Sequence, residues 1–217
     1  MNSTSNLVTL SFDNGPDPEV TPQVLRVLRE HGVKTTFFVI GERLRDPARR
    51  AICEGAHAEG HWIGNHTYNH LTPLGLSQDP NIAQREIAAA QTLIGPLSRP
   101  EPLFRPGGSL GALNQSLLNQ GAANYLQANH YTCVLWNAIP RDWDDPDGWV
   151  ETALAQCERE PWPLLVLHDI QTGAMKRLDQ FLSALRQRGK DIVQPFPPDC
   201  LPIVGGRVVR PIDAYVA

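Results

Sequence analysis

The sequence predicts a single α/β domain folded as a (β/α) barrel. Short β-prone runs alternate with helical segments along the chain, which is typical of parallel strands joined by helices. About seven such strands can be counted, and no domain-sized linker interrupts them. Polar clusters follow the strands, which indicates a barrel because its βα loops converge on one face. We expect one domain over residues 1–217, with its core at 7–193 and an irregular tail at 194–217.

The first half of the chain predicts three strands that end in polar residues. These strands are expected at 7–12, 35–40 and 61–64. Asp13 and the glycine and prolines after it stop the first strand. A helix follows with Thr21 as its N-cap, and a second helix is predicted at 47–59.

The second half of the chain continues the same alternation. The remaining strands are predicted at 103–104, 131–136, 164–167 and 192–193. The remaining helices are predicted at 81–94, 114–119, 147–158 and 175–188. Glycine or proline at several of their ends supports these boundaries.

Composition argues against several classes of partner. The chain has 217 residues, is 41% hydrophobic and carries a formal net charge of −4, which fits a soluble globular protein. It has no basic stripe interleaved with aromatic residues, so we expect no nucleic-acid partner. No apolar run approaches the ~20 residues of a membrane helix, so we expect no membrane partner. The four cysteines are scattered without a C-x-x-C pair, which predicts reduced thiols that pack in the core.

The N-terminal stretch 1–10 is polar, with neither a basic start nor an apolar segment of the kind that directs secretion. A chain that begins natively at Met1 is therefore expected in the cytoplasm. A chain from which a leader had been removed would be secreted. Composition gives no indication of the oligomeric state.

Residues with the chemistry of a hydrolase lie at the predicted strand ends. They are Asp13, His66, His70, Arg105, Asp142 and His168. The two histidines are four residues apart, which predicts that they share one face of a helical turn and can bind a metal ion. A metal, a carboxylate base and a histidine acid together suit hydrolysis of an acyl bond. Each residue alone also fits a structural role, such as helix capping or core packing.

Five short motifs occur in order along the chain. They are Ser11-Phe12-Asp13-Asn14-Gly15-Pro16, His66-Thr67-Tyr68-Asn69-His70, Arg105-Pro106-Gly107-Gly108, Asp142-Trp143 and Leu165-Val166-Leu167-His168-Asp169. In these motifs the sequence resembles the polysaccharide deacetylase family (carbohydrate esterase family 4), over residues 7–193. The resemblance implies an irregular (β/α)7 barrel with one divalent metal ion. Zinc is expected first, with cobalt, nickel or manganese as alternatives.

The resemblance also implies catalytic roles. Asp13 would be the general base and His168 the general acid. Asp142 would tune His168, and Arg105 would orient Asp13. A backbone N–H near Gly108 would help to stabilise the oxyanion.

The implied metal site contains a departure from the family pattern. His66 and His70 would hold the metal, and the family usually supplies a second aspartate of its first motif as the third ligand. Here that position is Asn14. An amide oxygen can coordinate a cation but carries no charge, so we expect weaker metal affinity and a retained metal that is a stronger Lewis acid.

The implied substrate pocket departs from the pattern as well. Trp143 and Leu167 would line the part that receives the acetyl methyl group. Many relatives have an aromatic residue where this chain has Gly107 and Gly108, so we expect a more open cleft with weaker stacking on a sugar. Ile139-Pro140 replaces the first aspartate of the fourth motif, which is expected to matter less.

Three functions are compatible with the sequence. The leading hypothesis is a metal-dependent hydrolase that removes N-acetyl groups from amino sugars or oligosaccharides. The second is a hydrolase of another linear or cyclic amide, such as a formamide, ureide or imide. The third, motivated by Asn14, is a barrel that binds glycans without turning them over.

Overall fold

Seven parallel strands form the centre of the fold in the computed structural model, which describes residues 6–108 and 110–217. They are β1 (Leu7–Asp13), β2 (Thr36–Val39), β3 (Trp62–Asn65), β4 (Leu103–Phe104), β5 (Thr132–Cys133), β6 (Leu164–His168) and β7 (Asp191–Val193). Six of them are neighbours in the order β6-β1-β2-β3-β4-β5, with every pair parallel. All seven predicted strands are therefore confirmed.

The sheet closes into a ring between β6 and the chain that follows β5. Ala138 pairs in parallel with Leu165, and the Val166 N–H donates to the Ala138 carbonyl at 3.1 Å. β7 lies outside this ring and pairs with residues 7–9 of β1, while β6 pairs with residues 9–13. The seventh strand is thus displaced toward the amino end of β1, which makes the (β/α)7 barrel irregular, as expected.

Six α-helices cover the barrel in the described part of the chain. They are α1 (Val20–Glu30), α2 (Pro47–Ala58), α3 (Ala89–Ile94), α4 (Gln120–Ala128), α5 (Trp149–Arg159) and α6 (Leu178–Gln187). A π-helical segment, Ala83–Ala88, leads directly into α3. The helices pack on the outer face of the strands, where Phe12 and Leu167 are fully buried in the same cluster as Trp149 and Phe181. No described helix is long and apolar enough to cross a membrane.

The predicted helix at 114–119 is wrong. That segment forms turns, and the Asn114 Oδ1 atom accepts a hydrogen bond from the Ser116 N–H at 2.9 Å. Helix α4 begins only after Asn119, whose Oδ1 accepts from the Ala122 N–H at 2.8 Å. Asparagine is favoured as an N-cap rather than inside a helix, because its side chain competes for backbone groups.

The tail at 194–217, predicted to be irregular, contains a short regular element. Two further strands form an antiparallel hairpin, β8 (Ile203–Val204) and β9 (Arg207–Val208). β8 pairs antiparallel with β5, where Ile203 lies opposite Cys133. Farther on, the Leu118 N–H donates to the Tyr215 carbonyl at 3.1 Å. The tail therefore covers an edge of the two-residue strand β5 that would otherwise be unpaired.

Candidate active site

A cleft of about 260 Å³ lies at the carboxyl ends of the strands. Five side chains that the sequence predicts to be catalytic or metal-binding line it, namely Asp13, Asn14, His66, His70 and His168, and the predicted pocket residue Trp143 lines it too. Most of the remaining wall is apolar. Its large side chains include Trp136, Ile139, Trp143, Val166 and Ile170. Groups suited to acid–base chemistry thus lie beside an apolar surface in one cavity.

The strand register brings Asp13 and His168 to the same level of the barrel. Asp13 ends β1 and is the direct partner of Phe38 in β2 and of His168 in β6. Paired residues on neighbouring parallel strands, about 4.8 Å apart, point to the same face of a sheet. Both Asp13 and His168 line the cleft, so the predicted base and acid project into it from adjacent strands.

Arg105 is completely buried and binds Asp13. Its Nη1 atom donates to Asp13 Oδ1 at 2.8 Å and to Ser11 Oγ at 2.7 Å. Its Nε atom donates to the Val134 carbonyl at 3.2 Å, and its Cζ atom lies 4.1 Å from the centroid of the Phe38 ring. The guanidinium therefore has one fixed position, from which it orients a single carboxylate oxygen of Asp13.

The Asp13 carboxyl is held in its charged form. Burial by itself raises the pKa of this group, but the Arg105 guanidinium, with further contributions from His66 and His168, outweighs burial and lowers the pKa below its ordinary value. A carboxylate at neutral pH is the form that a general base needs.

His66 presents one ring nitrogen to the cleft. Its Nδ1 atom lies 2.9 Å from the Arg105 carbonyl oxygen, which can only accept, so Nδ1 carries the proton and Nε2 keeps its lone pair. Burial lowers the pKa of His66 to about 3. The ring is therefore neutral at physiological pH, which is the state that coordinates a metal ion.

His70 lies beside His66, although not on a helical turn as predicted. The segment after β3 is a loop in which Thr67 (φ 67°) and His70 (φ 55°) have left-handed backbone conformations. This loop brings the two imidazole rings to a centroid distance of 4.6 Å. Gly107 makes room for His70, because a Cβ atom at position 107 would lie 2.8 Å from His70 Nε2.

Asn14 supplies a buried oxygen without a partner. Its backbone is left-handed (φ 71°), and its Oδ1 atom lies beneath the protein surface with no hydrogen bond. No three His, Cys, Asp or Glu side chains within residues 6–108 and 110–217 are grouped to hold a metal ion. His66, His70 and the unpaired amide oxygen of Asn14 fit such an ion as a neutral donor set, since a buried polar atom normally has a partner.

His168 is held by Asp142 through two contacts. Its Nδ1 atom lies 2.9 Å from Asp142 Oδ1, and its backbone N–H donates to Asp142 Oδ2 at 2.8 Å. Burial lowers the pKa of His168, but the Asp142 carboxylate outweighs burial and raises the pKa above its ordinary value. The Trp143 ring packs edge-on against the imidazole, with 4.7 Å between centroids. This environment favours the protonated ring that a general acid needs.

The prediction that Leu167 lines the pocket is wrong. Leu167 is fully buried against the helices, in the core cluster on the outer side of the barrel. Val166 and His168 line the cleft instead, because side chains alternate between the two faces of a strand. The wall next to the predicted acid is therefore formed by the smaller, β-branched Val166.

Trp136 was not predicted, and it alters the expectation of an open cleft at Gly108. A Cβ atom at position 108 would lie 2.9 Å from two atoms of the Trp136 ring. The Trp136 Nε1–H donates to the Gly111 carbonyl at 3.0 Å, which ties the ring to the glycine-rich loop. An aromatic surface is thus present beside the cleft, although it comes from the chain after β5.

Comparison with known proteins identifies the family. A family model described as polysaccharide deacetylase matches residues 1–128. The peptidoglycan-N-acetylglucosamine deacetylase of Bacillus cereus is 34% identical over 190 residues, which cover 84% of this chain and 83% of that protein. The chain belongs to the polysaccharide deacetylase family.

Two further members of the polysaccharide deacetylase family agree with this assignment. A chitooligosaccharide deacetylase of Sinorhizobium fredii is 35% identical over 167 residues, 75% of this chain and 71% of that protein. The structure of a family 4 acetyl xylan esterase from Clostridium thermocellum, in complex with a cobalt ion, superposes with a TM-score of 0.69 at 28% identity and 87% coverage of each chain. The family is generally metal-dependent.

The chain that follows the first motif is held against Asp169, a residue that had no predicted role. Thr21 is not the N-cap of α1 as predicted. Its hydroxyl donates to Asp169 Oδ2 and accepts from the Asp17 N–H, while Asp17 Oδ1 accepts from the N–H groups of Glu19 and Val20 in the first turn. Burial raises the pKa of Asp169 to about 7.

Gly15→Ala is expected to destabilise the fold. A Cβ atom at position 15 would lie 2.1 Å from Asp169 Oδ2, so the loop or the buried carboxyl must move, at a cost of about 1–3 kcal/mol in the free energy of unfolding. Urea denaturation measures this change. Gly55→Ala is the matched control, because Gly55 has open space inside α2, and it should gain roughly 0.5–1 kcal/mol. Equal stability of the two variants would contradict the packing described for Gly15.

Proposed function

We propose that the protein is a metal-dependent hydrolase that removes N-acetyl groups from amino sugars or their oligomers. The observation that carries this proposal is the pairing of Asp13 and His168 on adjacent strands, beside the unpaired oxygen of Asn14 and two histidines, His66 and His70, whose pKa values are lowered by burial. The activities of the Bacillus cereus and Sinorhizobium fredii relatives, both named as deacetylases of amino sugars, support the substrate class.

In the proposed reaction the charged Asp13 accepts a proton from the attacking water. His168, protonated and held through Nδ1 by Asp142, delivers a proton from Nε2 to the nitrogen of the departing amine. The backbone N–H of the loop at Gly108 donates to the oxygen that becomes negatively charged. The apolar side chains of Trp143 and Val166 exclude water on the side where the acetyl methyl group would lie.

His66, His70 and Asn14 would hold the metal ion, with zinc expected first and cobalt, nickel or manganese as alternatives. A divalent ion supplies Lewis acidity toward the carbonyl oxygen and lowers the pKa of water. Because this donor set carries no charge, less of the ion's positive charge is neutralised than by a set that includes a carboxylate. An uncharged donor set also binds the ion more weakly.

Asn14→Asp is the experiment that tests the proposal. The added carboxylate should strengthen zinc binding by roughly tenfold or more, which corresponds to about 1.4 kcal/mol. The zinc dissociation constant and acetate release from N-acetylated chitooligosaccharides are measured for the wild type and the variant. Asn69→Asp is the control, because it adds the same charge to the histidine loop through a side chain whose Oδ1 accepts from the Leu71 N–H. It should leave zinc binding nearly unchanged.

The outcomes distinguish the three functions. Acetate release from sugars by the zinc-loaded wild type supports the proposal. Turnover of a formamide or a cyclic ureide, without turnover of any sugar, would favour the second function. Glycan binding with no turnover in either the wild type or Asn14→Asp would favour the barrel that only binds.

A further inference from the structure

The loop that carries the two histidines has an unfavourable backbone shape. Thr67 and His70 both have positive φ angles, although residues with a Cβ atom disfavour that region. Such a conformation persists only where surrounding contacts impose it. The contacts that impose it here identify residues on which the position of His70 depends.

Glu86 contacts the two residues that lie between Thr67 and His70. It is 6% exposed and belongs to the π-helical segment Ala83–Ala88. Its Oε2 atom accepts hydrogen bonds from two consecutive backbone N–H groups of the loop, Tyr68 at 3.0 Å and Asn69 at 3.1 Å. A carboxylate that is largely removed from water and bound to two amides fixes those amides strongly.

Asn65 makes a second contact between the same segment and the loop. Its Nδ2 atom donates to the Ile87 carbonyl at 2.9 Å, and its Oδ1 atom accepts from the Thr67 N–H at 3.0 Å. The π-helical segment is therefore joined to both ends of the turn that separates His66 from His70. π-helical turns inside helices occur frequently at functional sites.

We propose that Glu86 is a positioning residue for the metal-binding histidines. Its carboxylate holds Tyr68 and Asn69 in the shape that brings His70 beside His66. Glu86 lines neither the cleft nor the predicted metal site, so it acts only through the loop. This inference rests on the proposed metal-dependent function, and a measurement on the metal-free protein separates the two.

The first measurement is the zinc dissociation constant, by competition with a chelator of known affinity. Glu86→Ala should weaken zinc binding by about 10–100-fold, as is usual when a contact that orients a metal ligand is lost. Glu86→Gln should stay close to the wild type, because its Oε1 atom reaches the same two N–H groups. Glu86→Asp keeps the charge but is one methylene shorter, so it should bind zinc more weakly than Glu86→Gln.

Two control variants separate positioning from general stability. Gln84→Ala changes an exposed side chain of the same π-helical segment and should leave zinc binding unchanged. Asn119→Ala removes the N-cap of α4, so it should lower the melting temperature without changing the zinc affinity.

The second measurement is hydrogen exchange of the Tyr68 and Asn69 amides in the metal-free protein. Exchange should be slow in the wild type and at least tenfold faster in Glu86→Ala. Unchanged exchange and unchanged zinc affinity in folded Glu86→Ala would overturn the proposal. If the wild type binds no zinc but Glu86→Ala still accelerates exchange, the proposed metal site is wrong. The role of Glu86 in holding the loop that carries His70 then stands. If Glu86→Ala does not fold, equal or tighter zinc binding by Glu86→Asp than by Glu86→Gln would overturn it.

Discussion

Asp13→Asn is expected to reduce acetate release by about 10²–10⁴-fold, the usual contribution of a general base. The substitution keeps the shape of the side chain and its oxygen toward Arg105, but it leaves the buried guanidinium without its carboxylate and therefore also lowers stability. The assay is made on the folded variant, as checked by urea denaturation. The substitution removes the negative charge that receives the proton from water. The assay is carried out at saturating zinc, because Asp13 Oδ2 lies 3.6 Å from His66 Nε2 and its charge also favours a cation there.

Asp17→Asn is the matched control for this prediction. Asp17 lies in the same motif loop, but its Oδ1 atom binds the Glu19 and Val20 N–H groups at the start of α1 and does not line the cleft. An asparagine can accept the same hydrogen bonds, so activity should stay within a few-fold of the wild type. If Asp13→Asn retained more than a tenth of the activity, Asp13 could not be the base.

The barrel could be predicted because its strands carry a strong local signal. Runs such as the residues of β1 and β6 are short, apolar and followed by polar clusters, and parallel strands buried on both faces have this pattern. The placement of Asp13, His66 and His168 at the cleft followed from the same pattern, since parallel strands place their carboxyl ends on one face. The predicted catalytic roles of Asp13 and His168 stay predictions until activity is measured.

The direction of individual side chains was harder to predict. Leu167 was assigned to the pocket, yet a strand buried on both faces shows no hydrophobic alternation that would tell its inner residues from its outer ones. The position of His168 could have resolved this, because in a strand a residue two positions before an inward-facing histidine must also face inward. That rule selects Val166, which lines the cleft.

The features that the sequence did not reveal depend on contacts between distant residues. The left-handed shape of the loop between His66 and His70 depends on Glu86, about twenty residues away. The ring of Trp136 lies against Gly108 through folding of separate loops. The hairpin β8–β9 forms because β5 offers a free edge. None of these contacts leaves a periodic pattern in the chain.

Arg105→Met is expected to destabilise the protein by about 3–5 kcal/mol, because it leaves the buried Asp13 carboxylate without its cation. Methionine is uncharged and replaces most of the apolar part of the arginine side chain, so the change in packing is small. Urea denaturation at pH 7 measures the loss. Arg26→Met is the matched control, since Arg26 pairs with Glu30 on the exposed face of α1, and it should cost about 0.5 kcal/mol or less.

The double variant Arg105→Met with Asp13→Asn identifies the cause of that loss. Removing the uncompensated carboxylate should recover part of the stability, so the double variant should be more stable than Arg105→Met alone. Recovery should be incomplete, because Ser11 Oγ and the Val134 carbonyl also lose their buried donor. A double variant no more stable than Arg105→Met would show that the cost comes from packing and not from charge. If Arg105→Met cannot be obtained folded, a folded double variant gives the same answer, since only the unpaired carboxylate distinguishes the two proteins.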